Sequence, residues 1–244
     1  GYLKFIDQNP KKSFVLQPCS AFVTGIQKAN PGMLKYLAPI QSPLMSLASY
    51  LRKYQGFSGG LAYLSPCISR KTEIDSEDTH DLVQYNITIN HLFEKIQDVD
   101  LDAYSEITPD INDESISASY PFLGGLKENL GRYLPKEQII LRFGDVAKNY
   151  DSKRDFSSLL KDTESLIIDT FHCENGCVQG TGVSNKDFHL KQSIDYYQEI
   201  KPTACRTKKE VPESTFLKNN SSINYHSDSN SKSIVSSTRD KGTI

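Results

Sequence analysis

Val15-Leu16-Gln17-Pro18-Cys19-Ser20 and Tyr63-Leu64-Ser65-Pro66-Cys67-Ile68 repeat one local design: a short apolar run, a small polar residue, proline, then cysteine. The runs Phe14 to Leu16 and Leu61 to Leu64 are rich in strand formers and bounded by turn signals, so each reads as a buried strand. Proline suits the first helical position, which predicts each cysteine in the first turn of a helix. There the unpaired backbone N–H groups and the positive helix end favour a thiolate, the form that binds metal. In an open α/β sheet, ligands collect beyond the carboxyl ends of strands, and both cysteines then stand in that place.

A third run, Leu166 to Ile168, is followed by Cys173-Glu174-Asn175-Gly176-Cys177-Val178-Gln179-Gly180-Thr181-Gly182. This loop carries two cysteines four apart and three glycines, which let backbone approach a ligand closely. Backbone N–H groups in such a loop can donate to cluster sulfurs. Cys19, Cys67, Cys173 and Cys177 together give the ligand count of a 4Fe–4S cluster. A lone cysteine is more often a buried small hydrophobe, and Cys205 reads that way or as a surface thiol. Four cysteines also suit a closed structural zinc site, although the paired C-x-x-C knuckles usual in zinc ribbons are absent.

Two further strands are expected at Ile139 to Phe143 and Leu82 to Ile89. Helical patterns fall at Ala21 to Lys28, Pro43 to Tyr54, Ile89 to Ile96, Leu126 to Tyr133, Ser157 to Leu160 and Asp187 to Ile200. Pro43 stands where a helix can begin, and Leu44, Leu47, Ala48 and Leu51 form its apolar stripe. Gly124-Gly125 reads as a turn feeding the helix from Leu126. Strands alternating with helices argue for an α/β domain. Residues 104–119, acidic and mixed Ser/Ile, read as a surface loop or poorly packed insertion. From Val211 to Ile244, 9 of 34 residues are Ser and 4 are Asn, a composition that cannot bury much surface. The expected organisation is a cluster-binding domain over 1–200 and a polar, disordered tail over 201–244.

The chain has 244 residues, 37% hydrophobic and 24% charged, enough for a sizeable core. A net charge of −2 gives no general pull toward nucleic acid or membrane, and no apolar run is long enough to span a bilayer. Five cysteines in a chain of this size, with no export signal, point to metal binding in a reducing cytoplasm rather than to a disulfide scaffold. Gly1 stands first and both methionines are internal, which suggests a fragment lacking an upstream segment.

The three cysteine motifs, in this order and spacing, resemble those in the C-terminal domain of the iron-only (FeFe) hydrogenase large subunit, and among its members the sensory, hydrogenase-like branch. Gln17-Pro18-Cys19-Ser20 corresponds to the first motif, Ser65-Pro66-Cys67-Ile68-Ser69-Arg70-Lys71-Thr72-Glu73 to the second, and Cys173-Glu174-Asn175-Gly176-Cys177 to the third. Tyr36-Leu37-Ala38-Pro39-Ile40-Gln41-Ser42-Pro43 and Gly124-Gly125-Leu126-Lys127-Glu128-Asn129 look like further family segments. The resemblance runs from about Gly1 to about Gln198. It implies a two-lobed fold with mixed sheets flanked by helices and the cluster in the cleft between lobes. It also implies a 4Fe–4S cluster on Cys19, Cys67, Cys173 and Cys177, with Cys177 bridging to a two-iron subsite in true hydrogenases, the pair forming the H-cluster.

Several positions depart from the family. Hydrogenases place a proton-passing cysteine just before the first ligand, and Pro18, which cannot transfer a proton, stands there. The lysine that hydrogen-bonds a cyanide ligand is replaced by Arg70, whose planar head is not equivalent to lysine. Methionines before the second and third motif cysteines give way to Ser65 and Phe171. Cluster ligation is untouched, while fast hydrogen turnover is not expected.

His172 reads as a polar loop residue or as a group that tunes the site. Glu73 either holds the second motif or is a solvated charge, and Glu174 faces solvent. The leading expectation is a redox- or hydrogen-sensing module of an anaerobe, fed by a ferredoxin-type electron donor or fused ferredoxin domain and reporting to a signalling domain or partner. The alternatives are a catalytic hydrogenase fragment and a structural zinc or cluster-assembly protein. A cysteine nucleophile is weaker, because only the adjacent His172 accompanies one.

Overall fold

The computed structural model describes residues 1–183 apart from 17, 78, 80, 106–118, 136, 139 and 144–155. The expected helix at Asp187 to Ile200, the polar tail and Cys205 lie outside these residues, as does most of the 104–119 segment.

All five expected strands form, but the run Leu61 to Leu64, expected as a buried strand, leaves Leu64 exposed at 49%. β1 (Phe14–Val15), β4 (Ile140–Phe143) and β5 (Ile167–Thr170) make one sheet in the order β1-β5-β4, while β2 (Ala62–Ser65) and β3 (Tyr85–Thr88) make a second. Every ladder is parallel, with Phe14 opposite Ile167 and Leu64 opposite Ile87. β3 is shorter than the expected Leu82 to Ile89, because the chain turns between Thr79 and Leu82 before it extends. The fold is α/β, with small parallel sheets flanked by helices.

The first sheet is buried on both faces, which is why its strands read as unbroken apolar runs. Alternation along β1 and β5 sends Phe14, Leu16 and Ile167 to one side and Val15 and Ile168 to the other. On the first side they meet Phe5 and Ile6 of α1 (Tyr2–Gln8) and Leu126 and Leu130 of α6 (Gly125–Gly131). On the second they meet Phe22 and Ile26 of α2 (Ser20–Ala29) and Leu160 of α7 (Phe156–Asp162). α1 carries no sequence signal of its own, since seven residues with no side-chain cap are marginal alone. Tertiary packing holds it: Phe5 meets Phe14 edge to face at 5.0 Å.

α3 (Pro43–Tyr54) begins at Pro43, and Ser42 caps it by accepting from the Met45 backbone N–H at 3.3 Å. It buries Met45 and Ala48 against Val83 and against Ile74 of the short α4 (Arg70–Ile74), forming the core of the second sheet's half. α5 (Ile89–Ile96) follows β3 directly, capped by Thr88, which accepts from the His91 N–H.

One buried charge stands out. Asp169 of β5 is wholly buried; one carboxylate oxygen accepts from the Lys127 N–H in the first turn of α6 at 2.9 Å, and the other has no partner among the described residues. Burial pushes its pKa up to about 6, opposed by the Lys127 backbone hydrogen bond and the Lys127 charge.

Two outcomes follow. Phe14→Ala removes a fully buried ring from edge strand β1 of the first sheet and should cost about 3–5 kcal/mol, read as a lowered urea midpoint. Asp169 binds its proton more tightly folded than unfolded, so its contribution to stability is full below about pH 4 and is lost as pH rises through 6. The loss is about 3 kcal/mol. Melting temperatures between pH 4 and pH 8 should therefore fall less steeply in Asp169→Asn than in the parent, with the variant the more stable at pH 8.

Candidate metal centre

Each cysteine motif leaves the carboxyl end of a parallel strand: Cys19 after β1, Cys67 after β2, and Cys173 and Cys177 after β5. The two prolines act differently from expectation. Pro18 precedes the helix cap, and Cys19 is itself the N-cap of α2 in an extended conformation. Cys67 stands three residues before α4, outside its first turn. The reason is local: the Ser65 hydroxyl accepts from the Cys67 N–H at 3.0 Å and donates to the Cys67 carbonyl at 2.8 Å, closing a tight turn that delays the helix. Ser65, at a family methionine position, is fully buried in this role.

The third loop locks onto two other segments. Cys177 N–H donates to the Pro121 carbonyl at 2.7 Å, and Gly176 bridges Phe122. Gly176 has φ +79°, and a Cβ there would lie 2.5 Å from the Pro121 oxygen, so only glycine fits. Further on, Gly182 N–H donates to the Pro66 carbonyl at 2.8 Å and its own carbonyl accepts from Asn90 N–H at 2.9 Å. The glycines expected to admit a ligand thus bring backbone against backbone, joining loop to loop. Thr181 completes the junction: its hydroxyl accepts from Ile68 N–H at 3.2 Å and donates to the Cys67 sulfur at 3.7 Å.

Four sulfurs meet in one electrostatic neighbourhood. The Cys177 thiol is pushed up to about 12, first by burial and further by Cys19, Cys67 and Cys173, with Arg70 opposing. All four are free thiols; Cys19 is buried and the others half-buried. Cys19, Cys177 and Phe171 share an apolar cluster, so the phenylalanine at the second family methionine position walls the site.

Arg70 is buried, 6% exposed, and both ends of its head are engaged. One Nη donates to the Glu73 carboxylate at 2.7 Å and the other to the Pro18 carbonyl at 2.5 Å. Glu73 therefore holds the second motif's arginine and is not a solvated charge. The Tyr63 and Tyr120 hydroxyls stand near; burial raises both pKa values, with Arg70 opposing. Neither tyrosine, nor Thr181, carries a signal in the sequence that marks it. His172 is half-buried beside Cys173, and Glu174 is exposed.

The donor set fits an iron–sulfur cluster. Among the described residues, no three Cys, His, Asp or Glu side chains close on one point as a single ion requires. Four thiols are the ligand count of a 4Fe–4S cluster, and the same number also suits a closed structural zinc site. A bound iron would have to displace the Cys177 proton. Among the described residues no helix is long and apolar enough to cross a membrane.

No curated protein matches the chain in sequence. Solved structures match it in fold. An FeFe-hydrogenase structure concerned with stepwise H-cluster assembly aligns with TM-score 0.51 at 14% identity, over 83% of this chain and 68% of that one. An apo FeFe-hydrogenase from Chlamydomonas reinhardtii aligns with TM-score 0.50 at 13% identity, over 79% of this chain and 65% of the other. A third, concerned with oxygen inactivation through the 2Fe subcluster of the H cluster, gives 0.51 at 14%, over 76% and 65%. The chain spans about two thirds of the length of these proteins. The family described as iron only hydrogenase large subunit, C-terminal domain, matches residues 2–139, more than half of the chain and both of the first two cysteine motifs. Sequence and scaffold agree: the chain belongs to the family formed by the C-terminal domain of the iron-only hydrogenase large subunit.

Proposed function

We propose that this chain holds a 4Fe–4S cluster on Cys19, Cys67, Cys173 and Cys177 and works as a redox or hydrogen sensor. The observation that carries the cluster is the placement of the three cysteine motifs beyond the carboxyl ends of parallel strands, with the third loop bonded to the second through Gly182 and Thr181 and with Cys177 packed against the apolar cluster that holds Cys19. When bound, such a cluster supplies a centre that gains or loses one electron. The chain's own residues hold it and tune it. Thr181 donates to the Cys67 sulfur and so favours the more electron-rich state. Phe171 and the apolar side of α2 exclude water, which strengthens every charge nearby.

The sensor reading rests on Pro18. This residue offers no proton, and its carbonyl is already taken by Arg70. In this reading a ferredoxin-type donor or fused ferredoxin domain supplies electrons, and a signalling domain or partner receives the change of state. Residues 1–200 would form the cluster-binding unit.

A second reading is a catalytic FeFe-hydrogenase fragment interconverting hydrogen with protons and electrons, with Cys177 bridging to a two-iron subsite. The polar surround of Cys177, formed by Arg70, Tyr63 and Tyr120, favours it.

Anaerobic reconstitution with iron and sulfide should give a brown protein with broad blue absorbance and about four irons per chain. Serine at position 19, 67, 173 or 177 should lower the iron content, and Cys205→Ser should leave it intact. A colourless parent, or a Cys205→Ser loss equal to the others, would reject the cluster assignment. Infrared spectra of anaerobically matured protein separate the two readings: the sensor with a cubane alone shows no carbon monoxide or cyanide bands, and the hydrogenase shows both.

A further inference from the structure

We infer that Arg70 is a positioning residue that clamps the Cys19 loop onto the Cys67 loop and supplies the fixed positive charge beside the cluster. Its electronic half rests on the four-thiol reading above; its mechanical half stands on the apoprotein.

Cys19 and Cys67 follow strands of different sheets. Arg70 reaches both. Its backbone N–H points to the Cys67 carbonyl at 3.4 Å, and its side chain donates to the Pro18 carbonyl at 2.5 Å. That carbonyl belongs to the peptide linking Pro18 to Cys19, so gripping it fixes the peptide plane from which Cys19 departs. The proline ring fixes φ on the other side of the same residue. Pro18 and Arg70 together leave the chain entering Cys19 little freedom. The loss of a proton-carrying side chain at position 18 thereby comes with a gain in rigidity.

Arginine suits the task better than lysine. Its planar fork donates in two directions at once, here to the Glu73 carboxylate and the Pro18 carbonyl, while staying charged. Glu73 is partly exposed at 19% of its side chain, whereas the guanidinium is sealed and bonded to the Pro18 carbonyl next to Cys19, so its charge acts on this region with little water to screen it. A buried cation favours the state with one more electron. A further side-chain hydrogen bond joins α2 to α4, between the Thr24 and Thr72 hydroxyls at 3.4 Å, and it is exposed and neutral.

The test separates the two halves. In the apoprotein, iodoacetamide labelling mapped by peptide mass should modify Cys19 at least about tenfold faster in Arg70→Gln than in the parent, as expected for one lost charge-assisted hydrogen bond. Arg70→Lys should also label faster, and Thr24→Val should label as the parent does. In reconstituted protein, Arg70→Gln should shift the cluster's midpoint potential to more negative values, and Arg70→Lys, which keeps the charge, should restore it. Parental labelling in Arg70→Gln overturns the clamp, even if the parent binds no iron. A potential unchanged in Arg70→Gln, or shifted equally in Arg70→Lys, overturns the charge assignment. If Arg70→Gln does not melt cooperatively, the labelling rate and potential of Arg70→Lys decide alone.

Discussion

Four thiols on neighbouring loops, one buried and three half-buried, cannot all carry charge cheaply unless something positive stands near them. That constraint organises the region. Cys177 answers it by holding its proton, its pKa pushed up to about 12. Arg70 answers it partially from the side, and its own burial is tolerable because Glu73 and the Pro18 carbonyl satisfy both ends of the fork. Iron would answer it fully. The surrounding hydrogen bonds act mainly on backbone: Pro121 takes the Cys177 N–H, Pro66 takes the Gly182 N–H, and Ser65 closes on Cys67. The positions of the sulfurs are thus set largely by main chain, and the Arg70 guanidinium opposes the upward push that burial and the other thiols give Cys177.

Much of this is legible in the sequence. Apolar runs at Phe14, Leu61, Ile139 and Leu166 mark strands; in the first sheet both faces are covered, leaving no alternation to confuse the signal. Ser42-Pro43 marks the start of α3 to the residue, since cap and proline act locally. The four cysteines stand out by repeated local design and then by family likeness. What sequence cannot supply is anything decided by distant residues. α1 is held by Phe14 across the sheet, not by its own seven residues. The turn at Cys67 departs from the expected helix start because the Ser65 hydroxyl competes for the same backbone groups. The partners of Arg70, and the contact of Thr181 with a sulfur 114 residues earlier, depend on loops that meet only when both sheets have formed.

The family likeness and the geometry complement each other at position 18. The family resemblance alone makes Pro18 a missing cysteine. The structure makes it the anchor for a buried arginine, so the two departures from the family pattern, at positions 18 and 70, are one device.

The order β1-β5-β4 places the first strand of the chain against the last described one, so that Ser13 bonds Leu166 across 153 residues. Local contacts can form as the chain emerges, but this pairing waits until nearly the whole described segment has been made. Cys19 and Cys67 are synthesised long before Cys173 and Cys177 reach them. During that interval no set of four exists, and each early thiol faces the solvent singly. Bringing the four cysteines together is thus a late event of folding, timed by the closure of a parallel pair between the two ends of the described chain.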